Sequence, residues 1–343
     1  MDELLKEIIE TAGISGYESR MAKVMQEELK KTCDHVEMDN FGNVIAKKGN
    51  GKRKIMLAAH MDEVGFMVKH ISKDGFIYFI KIGGVDDRIL PAQRVIIKSA
   101  KGDYLGIIGT KPPHLQKDED KKNPLKYEDM FIDIGSKSKE ETLSKVQVGD
   151  SIIFEPNSGV LNGRLCYGKA IDNRIGCYIL LKIMEKLNIA AEVYAVATAQ
   201  EEVGLKGART SAFKISPDFA LAIDTTTAGD TPQISERESN LKLGDGVAIT
   251  IIEASGRGLI VNEKMKELLI NTAKDNKIKY QVDVIEGGMT DGAIIHMNKE
   301  GLPTGVLSVP TRYIHSPTGV FNLDDVDAAV ELALKAVGQL ANA

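Results

Sequence analysis

Apolar and polar positions along the chain fall into three textures. Leu4, Leu5, Ile8, Ile9 and Ala12 recur every three or four residues, which predicts a helix with Asp2 as its cap. The same spacing places Met21, Val24, Met25 and Leu29 on one face of a second helix starting near Ser19. Short extended runs follow at 36–38 and 44–47, joined by the turn Asp39-Asn40-Phe41-Gly42. Residues 55–59 are continuously apolar, the mark of a strand buried on both faces.

The second texture spans 64–165. Extended runs at 66–71, 76–82, 94–99, 104–109, 131–135 and 151–155 alternate with tight turns such as Asp74-Gly75 and Gly102-Asp103. Such turns between alternating runs signal hairpins, and the stretch predicts a small β-barrel or sandwich. Residues 116–130, highly charged and containing Pro124, are expected to form a long exposed loop. Phe66, Phe76, Tyr78 and Phe79 offer apolar area either to the barrel's own core or to a partner surface.

After residue 166 strands and helices alternate. Strands are expected at 193–199, 220–223, 247–253, 280–285 and 305–309, and helices at 175–187 and around 265–272. The last element, 324–340, is an amphipathic helix with Asn322 and Asp325 placed as a capping pair. This alternation predicts an α/β layered domain. The reading is one discontinuous α/β domain, 1–63 with 166–343, interrupted by an inserted β domain, 64–165.

Composition narrows the possibilities. A chain of 343 residues fits about two domains. With 49 acidic and 44 basic residues the net charge is −5, which gives no electrostatic case for nucleic acid or an anionic membrane. No uncharged apolar stretch reaches the ~18–20 residues of a membrane span. The start, Met1-Asp2-Glu3-Leu4-Leu5-Lys6-Glu7, does not read as a signal peptide. Three cysteines without metal-type spacing suggest a reducing, cytoplasmic setting.

Five apolar runs end abruptly in residues that can hold metal: Leu57-Ala58-Ala59-His60-Met61-Asp62, Gly168-Lys169-Ala170-Ile171-Asp172-Asn173, Ala197-Thr198-Ala199-Gln200-Glu201-Glu202, Ala220-Leu221-Ala222-Ile223-Asp224 and Thr311-Arg312-Tyr313-Ile314-His315. Ligands bind beyond the carboxyl ends of strands in open α/β sheets, so these segments can meet at one edge. His60 and Asp62, at i and i+2 in extended chain, point to the same side; they are either a hydrogen-bonded strand end or an imidazole ligand with its orienting carboxylate. Adjacent Glu201 and Glu202 diverge, so one can bind metal while the other moves a proton, or both sit in a solvated turn. Asp172 can cap a helix, bridge two metals, or do both. Asp224 can be a strand-end turn residue and His315 a loop histidine. Together they form a mixed N/O donor set without thiolate, which suits Zn, Co or Mn.

Four motifs carry a resemblance: Ala59-His60-Met61-Asp62-Glu63-Val64-Gly65, Ala170-Ile171-Asp172-Asn173-Arg174, Gln200-Glu201-Glu202-Val203-Gly204 and Tyr313-Ile314-His315-Ser316-Pro317. In this order they resemble the dinuclear metallo-aminopeptidases that include the tetrahedral (TET), glutamyl and deblocking aminopeptidases. Some members are labelled cellulase M or endoglucanase. The resemblance implies a phosphorylase/hydrolase-like three-layer α/β domain with an inserted β-barrel dimerisation domain. It implies two divalent metal ions per subunit, one held by His60, Asp172 and Asp224 and the other by Asp172, Glu202 and His315. Glu201 would be the general base and Asp62 would orient His60. Gly287-Gly288-Met289-Thr290-Asp291-Gly292 looks like a family loop near the substrate, with no catalytic role assigned. The expected activity is removal of N-terminal residues from peptides, with an apolar, leucine-like preference. Dimers would assemble into a tetrahedral dodecamer. The alternatives are an acidic, glutamyl preference, a metal-dependent deacylase or carboxypeptidase, a metal-independent glycosidase working with paired carboxylates, and a non-enzymatic binding module.

Overall fold

Asp2 Oδ1 accepts the Leu5 N–H at 2.8 Å and starts helix α1 (Glu3–Glu10). Helix α2 (Ser19–Leu29) and strands β1 (His35–Met38), β2 (Val44–Lys48) and β3 (Lys54–His60) follow. The computed structural model describes residues 1–115 and 124–343; the first part of the charged loop expected over 116–130 therefore lies outside the described residues.

After β3 the chain leaves the sheet and builds the insert. Strands β4 (Gly65–Ile71), β5 (Ile77–Ile82), β6 (Arg94–Ser99), β7 (Gly102–Gly109) and β8 (Phe131–Asp133), a short helix α3 (Lys139–Leu143) and β9 (Ser151–Phe154) make it up. The strands close a barrel in the order β4-β5-β8-β7-β6-β9. Phe66 packs edge-on against Phe79 and Phe154, with centroids 5.1 and 5.2 Å apart. Phe66 and Phe79 thus belong to the barrel core, while Tyr78 is exposed.

Strands β10 (Ser158–Asn162) and β11 (Leu165–Gly168) pair with each other and belong to the large sheet, although the sequence pattern grouped 158–165 with the insert. There follow α4 (Ile171–Lys186), β12 (Glu192–Thr198), α5 (Lys206–Ile215), β13 (Phe219–Thr227), β14 (Val247–Ile252), α6 (Glu263–Asp275), β15 (Tyr280–Val284), α7 (Gly292–Ile295), β16 (Thr304–Arg312), β17 (Gly319–Asn322) and α8 (Leu323–Leu340). The mixed sheet runs β1-β2-β12-β3-β13-β16-β17-β11-β10, with β14 and β15 branching from β16.

Strand β3 explains the layering. Ile55, Leu57 and Ala59 pack into the core with α1, α2, α4, α6 and α8, whereas Met56 and Ala58 pack into a smaller core with α5 and α7. Helices therefore cover both faces, giving three layers. Strands β12, β3, β13 and β16 are neighbours and parallel, with Thr198 beside His60 in register and Asp224 beside Ser308. Their carboxyl ends share one edge of the sheet.

Two local expectations change. Asp172 is not the cap of α4: its two carboxylate oxygens face His60 and His315 rather than a helix N–H, and Asn173 Oδ1 accepts the Gly176 N–H at 2.9 Å instead. At α8, Asn322 Oδ1 accepts the Asp324 N–H at 2.9 Å as expected, but Asp325 accepts from Gly244 and Gly246 N–H, both at 2.8 Å. That carboxylate ties down a distant loop and leaves the capping box half made.

Candidate metal centre

His60 ends β3, Glu201 and Glu202 follow β12, Asp224 lies on β13, His315 follows β16, and Asp172 stands where β11 turns into α4. The six side chains converge at the shared edge. His60 Nε2 lies 3.1 Å from Asp172 Oδ1, 3.6 Å from Asp224 Oδ1 and 3.8 Å from Glu201 Oε2. His315 Nε2 lies 3.2 Å from both Asp172 Oδ2 and Glu202 Oε1. Asp172 therefore turns one oxygen to each imidazole. Single donor atoms of His60, Asp172 and Glu202 lie within 4.8 Å of one another, as do those of His60, Glu201 and Asp224.

Asp62 is fully buried, and its carboxylate faces more than the histidine. His60 Nδ1 is 3.2 Å from the Asp62 carbonyl oxygen and 3.5 Å from its Oδ1. The carboxylate accepts the Ser15 hydroxyl at 2.6 Å, the Glu201 N–H at 3.0 Å and the Glu202 N–H at 3.1 Å. It thereby fixes the backbone of both glutamates. Glu18 Oε1 accepts the N–H groups of Gly16 at 2.7 Å and Gln200 at 3.0 Å. Gln200 needs that support, because it sits at φ +57°; Ala170, Leu205, Tyr313 and His315 around the cluster are also left-handed. Such conformations persist where surrounding contacts over-determine them.

The loop Gly13–Glu18 thus belongs to the site, although nothing in its sequence pattern marks it. Thr198 and Asp291 add a third support: the Thr198 hydroxyl donates to Asp291 Oδ2 at 2.5 Å. Asp291 lies in the glycine-rich loop singled out from sequence without a role.

Electrostatics follow from burial and crowding. Burial pushes Glu201 well above the usual carboxylate range against the pull of His60, and Asp224, Asp291 and Glu202 push it further. Burial likewise raises Asp224 to about 7, with His60 opposing. Burial would lower both histidines, but neighbouring carboxylates win: His60 stands well above its ordinary value and His315 rises to about 11. Asp172 moves the other way; burial raises it, and its two imidazole partners pull it below the usual range.

This donor set fits divalent cations. Among the described residues, the ion-pair partners of Asp172, Glu201, Glu202 and Asp224 are only the two imidazoles. Glu202 Oε1 is buried, and its only partner among the described residues is His315 Nε2 at 3.2 Å. Buried carboxylates in excess of cations are stable only when charge is supplied from outside or protons are held. The cluster opens into a cleft of about 560 Å³, of a size to receive the end of a peptide.

A three-layer α/β sheet with an inserted barrel, and a carboxylate–imidazole cluster at the ends of its parallel strands, defines a metal-dependent hydrolase. The chain belongs to the M42 glutamyl aminopeptidase family, whose profile matches residues 42–332. It is an M42 metallo-aminopeptidase, a peptide hydrolase of a metal-dependent family. A TET aminopeptidase from the archaeon Thaumarchaeota archaeon SCGC AB-539-E09 is 38% identical, with TM-score 0.95 over 99% of this chain and 97% of that one. The TET1 peptidase of Pyrococcus horikoshii, which assembles into a tetrahedron or an octahedral shell, is 35% identical with TM-score 0.87 over 98% of each chain. The lysyl aminopeptidase of Pyrococcus furiosus is 35% identical over 96% of this chain and 95% of its own length.

Proposed function

We propose that this enzyme removes N-terminal residues from peptides at a two-cation centre, with Glu201 as general base. The observation that carries the reading is Asp172, whose two oxygens each face a different imidazole at 3.1 and 3.2 Å. His60, Asp172 and Asp224 would hold one cation, and Asp172, Glu202 and His315 the other. Zn or Co suits these donors best, with Mn possible. Bound cations would supply Lewis acidity, ionising water near neutral pH and polarising the peptide carbonyl. Glu201 takes the proton of the attacking water and returns it to the leaving amine. Asp62 positions Glu201 through its backbone N–H.

The cleft beyond the cluster favours an apolar N-terminal side chain. Leu205, Ile285, Met289 and Ile314 line it, and among the described lining residues none is lysine or arginine. An acidic side chain would add negative charge with no basic side chain beside it. The barrel is the surface through which we expect pairs of subunits to associate, with dimers building a tetrahedral dodecamer; the TET1 relative assembles into a tetrahedron or a large octahedral shell. No helix of the described residues is long and apolar enough to cross a membrane. Three free cysteines suit a reducing cytoplasm.

Chelation provides the test. The untreated enzyme should cleave leucyl-nitroanilide faster than glutamyl-nitroanilide, and free peptides but not their acetylated forms. A chelator should abolish this, and Co or Zn should restore it. Peptide cleavage that survives complete metal removal would refute the centre.

A further inference from the structure

The barrel meets the α/β domain along a seam where Ala12, Ile14 and Ile153 pack together. Strand β9 faces two ways there. Ile152 and Phe154 point into the barrel core, so Ser151 and Ile153 point to the seam. Ser151 is 7% exposed, and its hydroxyl has no hydrogen-bond partner among the described residues. Its Oγ is nevertheless not sealed from solvent: the residue lines a hollow of about 220 Å³ in the seam. A hydroxyl so nearly buried and still unpaired calls for an explanation.

The walls of the hollow supply one. Its polar lining is Tyr17, Ser19, Arg20, Lys98, Ser99 and Ser151, and among the described residues no aspartate or glutamate lines it. Lys98 lies directly across from Ser151 in the register of β6 and β9, so the two side chains share a face. Lys98 donates to Asp103, and Arg20 stands 3.7 Å from the same carboxylate without a hydrogen bond to it. One carboxylate thus answers two cations, and the Arg20 guanidinium keeps its donors free. Asp103 belongs, with Glu10 and Glu155, to the neighbouring groove rather than to the hollow. Helix α2 adds to the same side. It begins at Ser19 and Arg20 with no side-chain cap from Glu18, which leaves the positive end of the helix at this wall.

We propose that this hollow binds a small oxyanion, a phosphate or carboxylate group, held by the Arg20 guanidinium, the Lys98 ammonium and the Ser151 hydroxyl. The anion gives Ser151 its missing partner and balances the second cation. The site shares no residue with the carboxylate–imidazole cluster, and it does not depend on the aminopeptidase reading. Its wall includes Gly13, Ile14 and Tyr17, part of the loop whose Ser15 hydroxyl donates to Asp62 at 2.6 Å. An anion held there lies against the loop that supports the candidate metal centre.

Calorimetric titration of the metal-loaded enzyme with inorganic phosphate, and separately with acetate, at fixed ionic strength tests this. The parent should show saturable binding of at least one of the two, and the one that binds identifies the group. Arg20→Gln should weaken that binding roughly tenfold or more, because it removes a charge and a fork of donors. Ser151→Ala should weaken it roughly tenfold through one hydrogen bond to a charged group. Arg20 is exposed and Ser151 is unpaired, so neither change disturbs a hydrogen bond of the fold. Absence of saturable binding of either anion to the parent overturns the proposal. So does binding that is the same in the parent and both variants, because the anion would then sit elsewhere, such as on the cations of the centre.

Discussion

Two buried charged clusters lie side by side in this molecule, and they solve the same problem in opposite ways. One is the candidate metal centre. The other is a knot directly behind it, made by Glu63, Lys169 and Arg174, whose side chains are at most 2% exposed. The two share stretches of chain: Asp62 serves one and Glu63 the other, and Asp172 lies between Lys169 and Arg174. In the knot the protein brings its own cations. Lys169 Nζ donates to both Glu63 oxygens at 2.8 and 2.7 Å, and Arg174 donates to the carbonyls of Ile8 at 2.8 Å and Thr11 at 2.7 Å. The Gly13 N–H completes the carboxylate at 3.0 Å. At the centre the carboxylates outnumber the imidazoles and meet neither lysine nor arginine among the described residues. The contrast separates buried charge neutralised by the protein's own cations from buried charge that the proposed divalent cations would neutralise.

Substitutions on either side of the boundary sharpen this contrast. The largest effect is expected at Glu201→Gln, which removes the base but no proposed ligand. Peptide cleavage should fall by roughly 10²–10⁴ while metal content, measured by atomic spectroscopy, stays unchanged. Loss of metal together with activity would make Glu201 a ligand, which its 3.8 Å approach to His60 permits geometrically.

Next comes Glu63→Gln, which leaves Lys169 and Arg174 facing each other without their carboxylate. Urea unfolding should show a loss of about 3–5 kcal/mol. A near-neutral result would erase the distinction between knot and centre.

The smallest effect is a pH dependence. Burial lowers Lys169 from an ordinary 10.5 to about 8, with Glu63 opposing and Arg174 adding to the shift. Between those values the unfolded chain holds a proton that the folded chain has released, so this group makes stability rise with pH from about 8 to 10.5. Comparing urea midpoints at both ends of that window should show a rise in the parent that is absent in Lys169→Met.

Much of the site was legible because its parts sit where a pattern stops. His60, Glu201, Asp224 and His315 each end an apolar run, and the run itself locates the sheet edge. The two-faced burial of β3 was visible in its five apolar residues at 55–59 for the same reason. Helix α5 was not: Gly207, Thr210 and Ser211 blur its periodicity, and Gly207 is needed because a Cβ there would come 2.2 Å from Asn43 Oδ1. Strands β10, β11 and β17 have five residues or fewer, too short for alternation to show.

The supporting residues were hidden for another reason. Ser15, Glu18, Glu63 and Lys169 act on partners far away in sequence, and pairing across such distances leaves no periodic trace. Asp62 shows the limit most clearly. Its spacing from His60 suggested one partner, while its carboxylate holds three groups, two of them backbone amides brought in from β12.

The Glu63–Lys169 pair also spans the insert, joining residues 106 positions apart. It acts as a clasp at the neck of a loop, so the barrel hangs from the catalytic sheet by two strands of chain pinned beside the reaction centre. The entropy of closing such a loop rises only slowly with its length, by about 0.6 kcal/mol per doubling. The insert is therefore the part of this architecture that evolution can lengthen, shorten or resurface at little thermodynamic penalty. The proposed assembly surface would then be free to diversify on the far side of the clasp while the proposed chemistry on the near side stays fixed.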